Sequence, residues 1–334
     1  MRRREFCIAA GAFALAPRVA RATGGLDQDA ETDASMRVLL ASGSFVPAQP
    51  IDAWHFAWDG RTYRGSFSIV RLPDGRAGLV NALPLDAYLY GVLGKEISPS
   101  WSPAAQQVQA IASRTYALGK IRPDRLFDVI AAESDQHYGG IESESVECRA
   151  AIDATAGRIV TYAGAAARVA YSACCGGRTA DAAAVWKTPV PYLTSVEDPN
   201  CSGAPNFAWS VAIASGDVAL AFRPRADLGT LRDVRVESFG AGARPLGITF
   251  VGTSATFEAS AADVRTALGP SIVRSTFVRS ATLENGGATL ALSGTGRGHG
   301  VGLCQWGARA MADRGADAAG ILAFYFPGTA LGRV

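Results

Sequence analysis

Glu96 is the residue whose neighbours best equip it for acid–base chemistry. After Pro84, Leu85, Leu89, Val92 and Leu93 recur at helical spacing, and the pattern closes near Ser98-Pro99. At about 100° per residue Glu96 falls about 20° from Leu85 around the axis, so its carboxylate shares the apolar stripe at the helix's carboxyl end. Desolvation and the negative end of the helix dipole both favour the protonated form there, which suits a general acid. The competing reading is a glutamate frayed into solvent at the last turn.

Three further groups invite chemistry. Gln107 and Arg114 lie seven residues apart along the edge of a second helix, where an arginine either reaches into a neighbouring cleft with its stem packed or is simply solvated. Glycines at 294, 296, 298, 300 and 302 alternate, which is neither G-x-G-x-x-G nor a P-loop. Such alternation suits a backbone passing close to another surface, with His299 at the tip as a site residue or as a packed, hydrogen-bonded one. A serine hydrolase is excluded because no G-x-S-x-G elbow is present and only three histidines exist to act as a base. A conventional glycosidase needs two carboxylates about 5 to 9 Å apart; Glu133 and Asp135 are candidates for the second, but spacing does not tie them to Glu96.

The elements that must position these groups form a mixed α+β pattern. Residues 37–82 are short apolar runs broken by Asp59-Gly60 and Pro73-Asp74-Gly75, the signature of hairpins. The Glu96 helix follows. The second helix starts at Ser102 as N-cap with Pro103 in its first turn, and its core face carries Val108, Ile111, Ala112, Thr115 and Leu118. Beyond it come a helix near residues 146–155, strands near 158–162 and 168–172, and a loop at Cys174-Cys175-Gly176-Gly177. Residues 205–293 read as short strands with one helix near 261–268, and a strand at 288–293 feeds the glycine run and two short helices. The expected partition is 1–22, 23–36 as a flexible segment, 37–204 with the hairpins and the Glu96 core, 205–293 as a β-rich segment, and 294–334 completing the core.

The chain of 334 residues is 49% hydrophobic and 19% charged, enough to bury a substantial core. Its 32 basic and 30 acidic residues are interspersed, so no basic stripe supports nucleic-acid binding. Residues 1–22 read as an export signal: Arg3-Arg4-Glu5-Phe6 fits a twin-arginine core, the apolar run of about 10 residues is too short to span a bilayer, and Ala20-Arg21-Ala22 resembles a cleavage site. A Sec signal with extra arginines is the alternative. No other stretch is long and apolar enough for a membrane. Export leaves Cys148, Cys174, Cys175, Cys201 and Cys304, an odd number. Cys201 paired with Cys174 or Cys175 is one reading; no C-x-x-C pair points to zinc, and His137 and His299 lie far from the cysteines in sequence, so no metal or other cofactor is expected.

Three ordered blocks resemble the stage II sporulation protein D family, also called the SpoIID/LytB or amidase-enhancer family. They are Leu83-Pro84-Leu85-Asp86-Ala87-Tyr88-Leu89 through Glu96 to Ala112-Ser113-Arg114-Thr115-Tyr116-Ala117; Tyr171-Ser172-Ala173-Cys174-Cys175-Gly176-Gly177-Arg178-Thr179 with Pro191-Tyr192-Leu193; and residues 296–308, from Gly296-Arg297-Gly298-His299 to Gln305-Trp306-Gly307-Ala308. The resemblance implies a periplasmic or wall-associated lytic transglycosylase that cuts peptidoglycan glycan strands stripped of stem peptides, giving 1,6-anhydro-N-acetylmuramic acid ends. It assigns Glu96 as the acid and Arg114 as a group that binds or polarises the sugar acyl groups. Gln107 stands where active members carry a lysine. Tyr116, Tyr138, Tyr171, Tyr192 and His299 are the further candidates for sugar contacts. The second function it implies is a wall-binding protein that stimulates an N-acetylmuramoyl-L-alanine amidase without cutting glycan, and the third, more remote, is an envelope scaffold. Some members hold zinc with cysteine and histidine near a Gln-x-Tyr-Gly-Gly segment; here Asp135-Gln136-His137-Tyr138-Gly139-Gly140 has no cysteine beside it.

Overall fold

A strand at Ser35–Ser42 runs antiparallel to Ala77–Pro84, and the register that sets Met36 opposite Leu83 and Val38 opposite Asn81 turns Met36 and Val38 into the core. This is a computed structural model, and it describes residues 34–132, 135–205, 207–237, 244–245 and 247–334. The export signal and most of the segment expected to be flexible lie outside the described residues; Ser35 and Met36, expected in that segment, already belong to the strand. Ser66–Arg71 and Val129–Ile130 complete a four-stranded sheet, and a hairpin of His55–Trp58 with Arg61–Arg64 stands beside it.

Pro84 ends the second of these strands and serves as the N-cap of helix α1, Leu85–Glu96. Its apolar residues Leu85, Tyr88, Leu89, Val92 and Leu93 are buried against the sheet and against α2, Pro103–Leu118. Pro103 opens α2 as expected, but the Ser102 hydroxyl makes no capping bond. Helix α3, Val146–Asp153, packs across both and is capped by Ser145 Oγ, which accepts from Cys148 N. The strand Arg158–Tyr162 matches expectation and pairs with a two-residue strand, Ala165–Ala166; the strand expected at 168–172 shrinks to Tyr171–Ser172, followed by a short helix, α4, Ala182–Trp186.

A second cluster of apolar side chains lies on the far face of α2, where Val108, Ile111 and Ala112 meet the four cysteines of the 174–304 region and the closing helices. A third belongs to residues 209–292, whose sheets Ala208–Ala214/Thr289–Thr295/Val278–Glu284 and Leu231–Val236/Ile248–Gly252/Thr256–Ala259 enclose α5, Ser215–Phe222, and α6, Ala261–Leu268. The chain returns through the glycine run to Leu303–Cys304, which pairs in parallel with Tyr171–Ser172, and ends in α7, Gln305–Asp313, and α8, Ala318–Tyr325. The molecule is thus a mixed α+β protein, and no described helix is long and apolar enough to cross a membrane.

The alternating glycines earn their spacing. Gly296, Gly298, Gly300 and Gly302 all have positive φ, and a Cβ on Gly296 would lie 2.6 Å from Cys174 O and 2.8 Å from Gly176 N. Gly296→Ala should therefore cost at least about 2 kcal/mol from left-handed strain and a rigid backbone clash together. Urea unfolding checks this; an unchanged midpoint would show that the loop yields freely.

Candidate functional site

Helix α1 stops at Glu96 because Ile97 turns to an extended conformation, and the chain then crosses the Ser98–Pro99 segment to α2. The half-buried Glu96 lines an open cleft of about 520 Å³ whose near wall is Lys95, Ser98, Ser100 and Trp101. Segment 135–140 wraps the other side of the carboxylate, and His137 N–H donates to Glu96 Oε1 at 3.3 Å. Behind it Tyr88 OH donates to Gln136 Oε1 (3.2 Å), while Gln136 Nε2 donates to Tyr171 OH (2.8 Å). Burial pushes both phenols well above their usual range, and the negative Glu96 reinforces the shift. Both therefore stay protonated at any working pH.

The far wall is built by the other end of the chain. Trp306 N–H donates to Ala173 O at 3.1 Å, and Gln305 Nε2 donates to Gln109 Oε1, which ties α7 to α2. Trp306 meets Trp101 edge to face with ring centroids 5.3 Å apart, and the Arg309 guanidinium lies 4.8 Å from one ring and 5.5 Å from the other. Gln106 Nε2 holds the Trp101 segment by donating to Pro99 O and Trp101 O. A carboxyl group, an aromatic platform and a cation on one open cleft suit a ring-shaped polar substrate that carries an anionic group.

The remaining expected residues sit elsewhere. Arg114 is fully buried and its guanidinium is consumed by the fold: Nε donates to Asp86 Oδ1 (2.8 Å), Nη1 to Thr155 O (2.8 Å) and Nη2 to Ile152 O (3.0 Å). It neither reaches into the cleft nor meets solvent, because α3 packs over the edge that it occupies. Gln107 is half-buried on α2 and does not line the cleft. Tyr138 is a core residue between Tyr88 and Tyr63, its hydroxyl on Asn81 Oδ1 (2.9 Å), and Tyr192 is buried against Tyr162, its oxygen accepting from Arg168 N (2.7 Å). Tyr116 stands edge-on to Tyr171 and donates to Asp135 Oδ1 (3.3 Å). Asp135 also takes Lys120 Nζ (2.7 Å) and Ile130 N (3.0 Å), which makes it a structural clamp, not a second catalytic carboxylate; Glu133 lies outside the described residues. His299 packs at a tilt against Trp186, its Nδ1 accepts from Val301 N (3.0 Å), and burial lowers its pKa to about 4, so it is a neutral packed histidine.

The cleft residues that spacing did not single out are Lys95, Trp101 and Arg309. Trp306 stood inside a quoted motif, and the three-residue step from Trp306 to Arg309 along a helix was the available signal.

The cysteines overturn a different expectation. Cys174, Cys175, Cys201 and Cys304, like Cys148, are buried free thiols, and the sulfurs of Cys175 and Cys201 are 3.5 Å apart, far beyond a bond of about 2.05 Å. The disulfide is absent among the described residues. Instead Cys175, Asp198, Cys201 and Cys304 present ligand atoms within 4.8 Å of one another, a donor set able to hold a metal ion.

The stage II sporulation protein family model (SpoIID) matches residues 73–162, which include α1, Glu96 and α2. The chain is 33% identical over 279 residues to an uncharacterized protein of Brachyspira hyodysenteriae, covering 82% of this chain and 73% of that one. It is 27% identical over 280 residues to stage II sporulation protein D of Bacillus subtilis, 75% of each chain, and 28% identical over 294 residues to the amidase enhancer of the same organism. That last match takes in 73% of this chain and 40% of the enhancer.

Proposed function

Because the chain belongs to the stage II sporulation protein D family, we propose that it is an exported peptidoglycan lytic transglycosylase with Glu96 as its acid. The observation that carries this reading is that Glu96 shares one open cleft with the Trp101–Trp306 pair and Arg309. Glu96 protonates the glycosidic oxygen, the carbon–oxygen bond breaks, and the 6-hydroxyl of the same N-acetylmuramic acid closes on its anomeric carbon. The Glu96 carboxylate takes the hydroxyl proton, which restores the acid and yields the 1,6-anhydro end. Because the nucleophile belongs to the substrate, no second carboxylate has to place a water. His137 N–H steadies the carboxylate between the two transfers.

The cleft also supports the choice of stripped strands. Once a stem peptide is removed, the lactyl group of N-acetylmuramic acid carries a free carboxylate, and the cleft cations facing it are Lys95 and Arg309, the latter sharing its charge with Asp313 through an exposed pair at 3.4 Å. Products of purified protein on peptide-bearing and amidase-stripped glycan, read by mass spectrometry, test this: anhydro ends are expected from stripped strands. Arg309→Gln should raise KM on those strands by about 5- to 20-fold, with kcat within about 3-fold. An equal KM for both proteins would remove Arg309 from substrate recognition.

A non-catalytic enhancer of a cell-wall amidase is the second reading. It is favoured by the similarity to an amidase enhancer and by Gln107, which stands where the family resemblance implies a lysine in active members. A folded protein that makes no anhydro product yet speeds an added amidase would select it.

A further inference from the structure

Beneath the cleft, the thiols of Cys175, Cys201 and Cys304 converge with the Asp198 carboxylate in a fully buried site. Cys175 Sγ is 3.5 Å from Cys201 Sγ and 3.2 Å from Asp198 Oδ2. A tetrahedral zinc ion with bonds of about 2.3 Å to sulfur and about 2.0 Å to oxygen sets its ligands about 3.5–3.8 Å apart, so these atoms need only small shifts to surround one. We propose that these four residues form a structural Zn²⁺ site that pins the floor of the cleft.

Three observations converge on it. The donors come from three separate loops, and no C-x-x-C pairing brings them together; the fold alone does so. Their surroundings are those of ligands held in place: Tyr325 OH donates to Asp198 Oδ2 (2.9 Å), Asn200 N and Nδ2 donate to Oδ1, and Cys175 N and Gly307 N both donate to Cys304 Sγ. Loading zinc sends three thiol protons to solvent and leaves a net −2 among four ligands and one ion, and the buried guanidinium of Arg244 lies against the same loop, donating to Cys175 O and Arg178 O. Soft thiolates with one carboxylate in a closed site select zinc over magnesium or calcium. The position gives the ion its role. Ala173 of the cleft precedes Cys174-Cys175 directly, and Cys304 is the N-cap of the helix that carries Gln305, Trp306 and Arg309. The inference stands independently of whether the cleft cuts glycan.

Metal analysis of the purified full chain decides it: about one zinc per chain is expected, lost in Cys201→Ser and Cys304→Ser and retained in Cys174→Ser. Should the ligand variants fail to fold, wild-type protein stripped and reloaded with Co²⁺ should show thiolate-to-cobalt charge-transfer bands with the visible bands of a tetrahedral ion. Tyr325→Phe, which removes one hydroxyl and keeps the packing, should weaken zinc on the order of 10- to 100-fold in a chelator competition. A metal-free protein whose six thiols all react in denaturant would overturn the proposal. So would a mass two hydrogens short, marking a disulfide, or cobalt without thiolate bands.

Discussion

Glu96→Gln should lower the yield of anhydro-muramyl products from stripped glycan on the order of 10³-fold while leaving the folded protein intact. The amide keeps the size of the side chain and an oxygen to accept from His137 N–H, and it loses only the capacity to give and regain a proton. Glu96 is half-buried at a helix end beside an open cleft, and the swap conserves its size, so the melting temperature should move by no more than a degree or two. Product mass spectrometry and thermal unfolding of the same two preparations separate chemistry from folding. A variant that still makes anhydro ends at the wild-type rate would dismiss Glu96 as the acid; two proteins equally silent on stripped glycan, with wild type accelerating an amidase, would leave the enhancer reading.

Glu96 was legible because its position follows from one local rule. Four apolar residues at helical spacing define a face, and the same arithmetic puts the carboxylate on it. The same rule recovered α2, and α6 also lies where a helix was expected, closed in the structure by Ser260, which caps Asp263 N and receives its side chain in return. The alternating glycines were legible for a similar reason, since only a backbone pressed against another surface rewards them.

What stayed hidden depends on which surface a given edge meets. Spacing put Arg114 at the border of a helix face, but whether that border opens on a cleft or lies under α3 is decided by residues about 40 positions away. Trp101 and Trp306 are separated by most of the chain and meet through long-range contacts, the pairing of Leu303–Cys304 with Tyr171–Ser172 and the Gln305–Gln109 bond between α7 and α2. The four metal donors were invisible on the same ground. A search for paired cysteines at short spacing presumes that one loop supplies two ligands, and here Cys175 and Cys201 stand in different loops and Cys304 comes from the end of the chain.

Arg114 carries the largest expected effect on stability, and its direction distinguishes scaffold from site. Its guanidinium joins α2 to Asp86 in the first turn of α1 and to the carbonyls of Ile152, Thr155 and Arg158 at the end of α3 and just beyond, where a cation also meets the negative end of that helix. Arg114→Leu would leave those acceptors without their donor in a dry interior, a loss of about 3–5 kcal/mol by analogy with other broken buried pairs; Asp86, whose side chain is 27% exposed, recovers some solvation and keeps the cost towards the lower figure. The melting temperature should fall on the order of 10 °C. Arg114→Lys keeps the charge, but one compact ammonium with three donors cannot span the four partners that the planar guanidinium reaches, so it should fall between Arg114→Leu and wild type. Below their melting points both variants should retain the wild-type KM, because the guanidinium points away from the cleft. A variant of unchanged stability with a raised KM would instead place Arg114 against the substrate, and would mean that α3 moves off it when glycan binds.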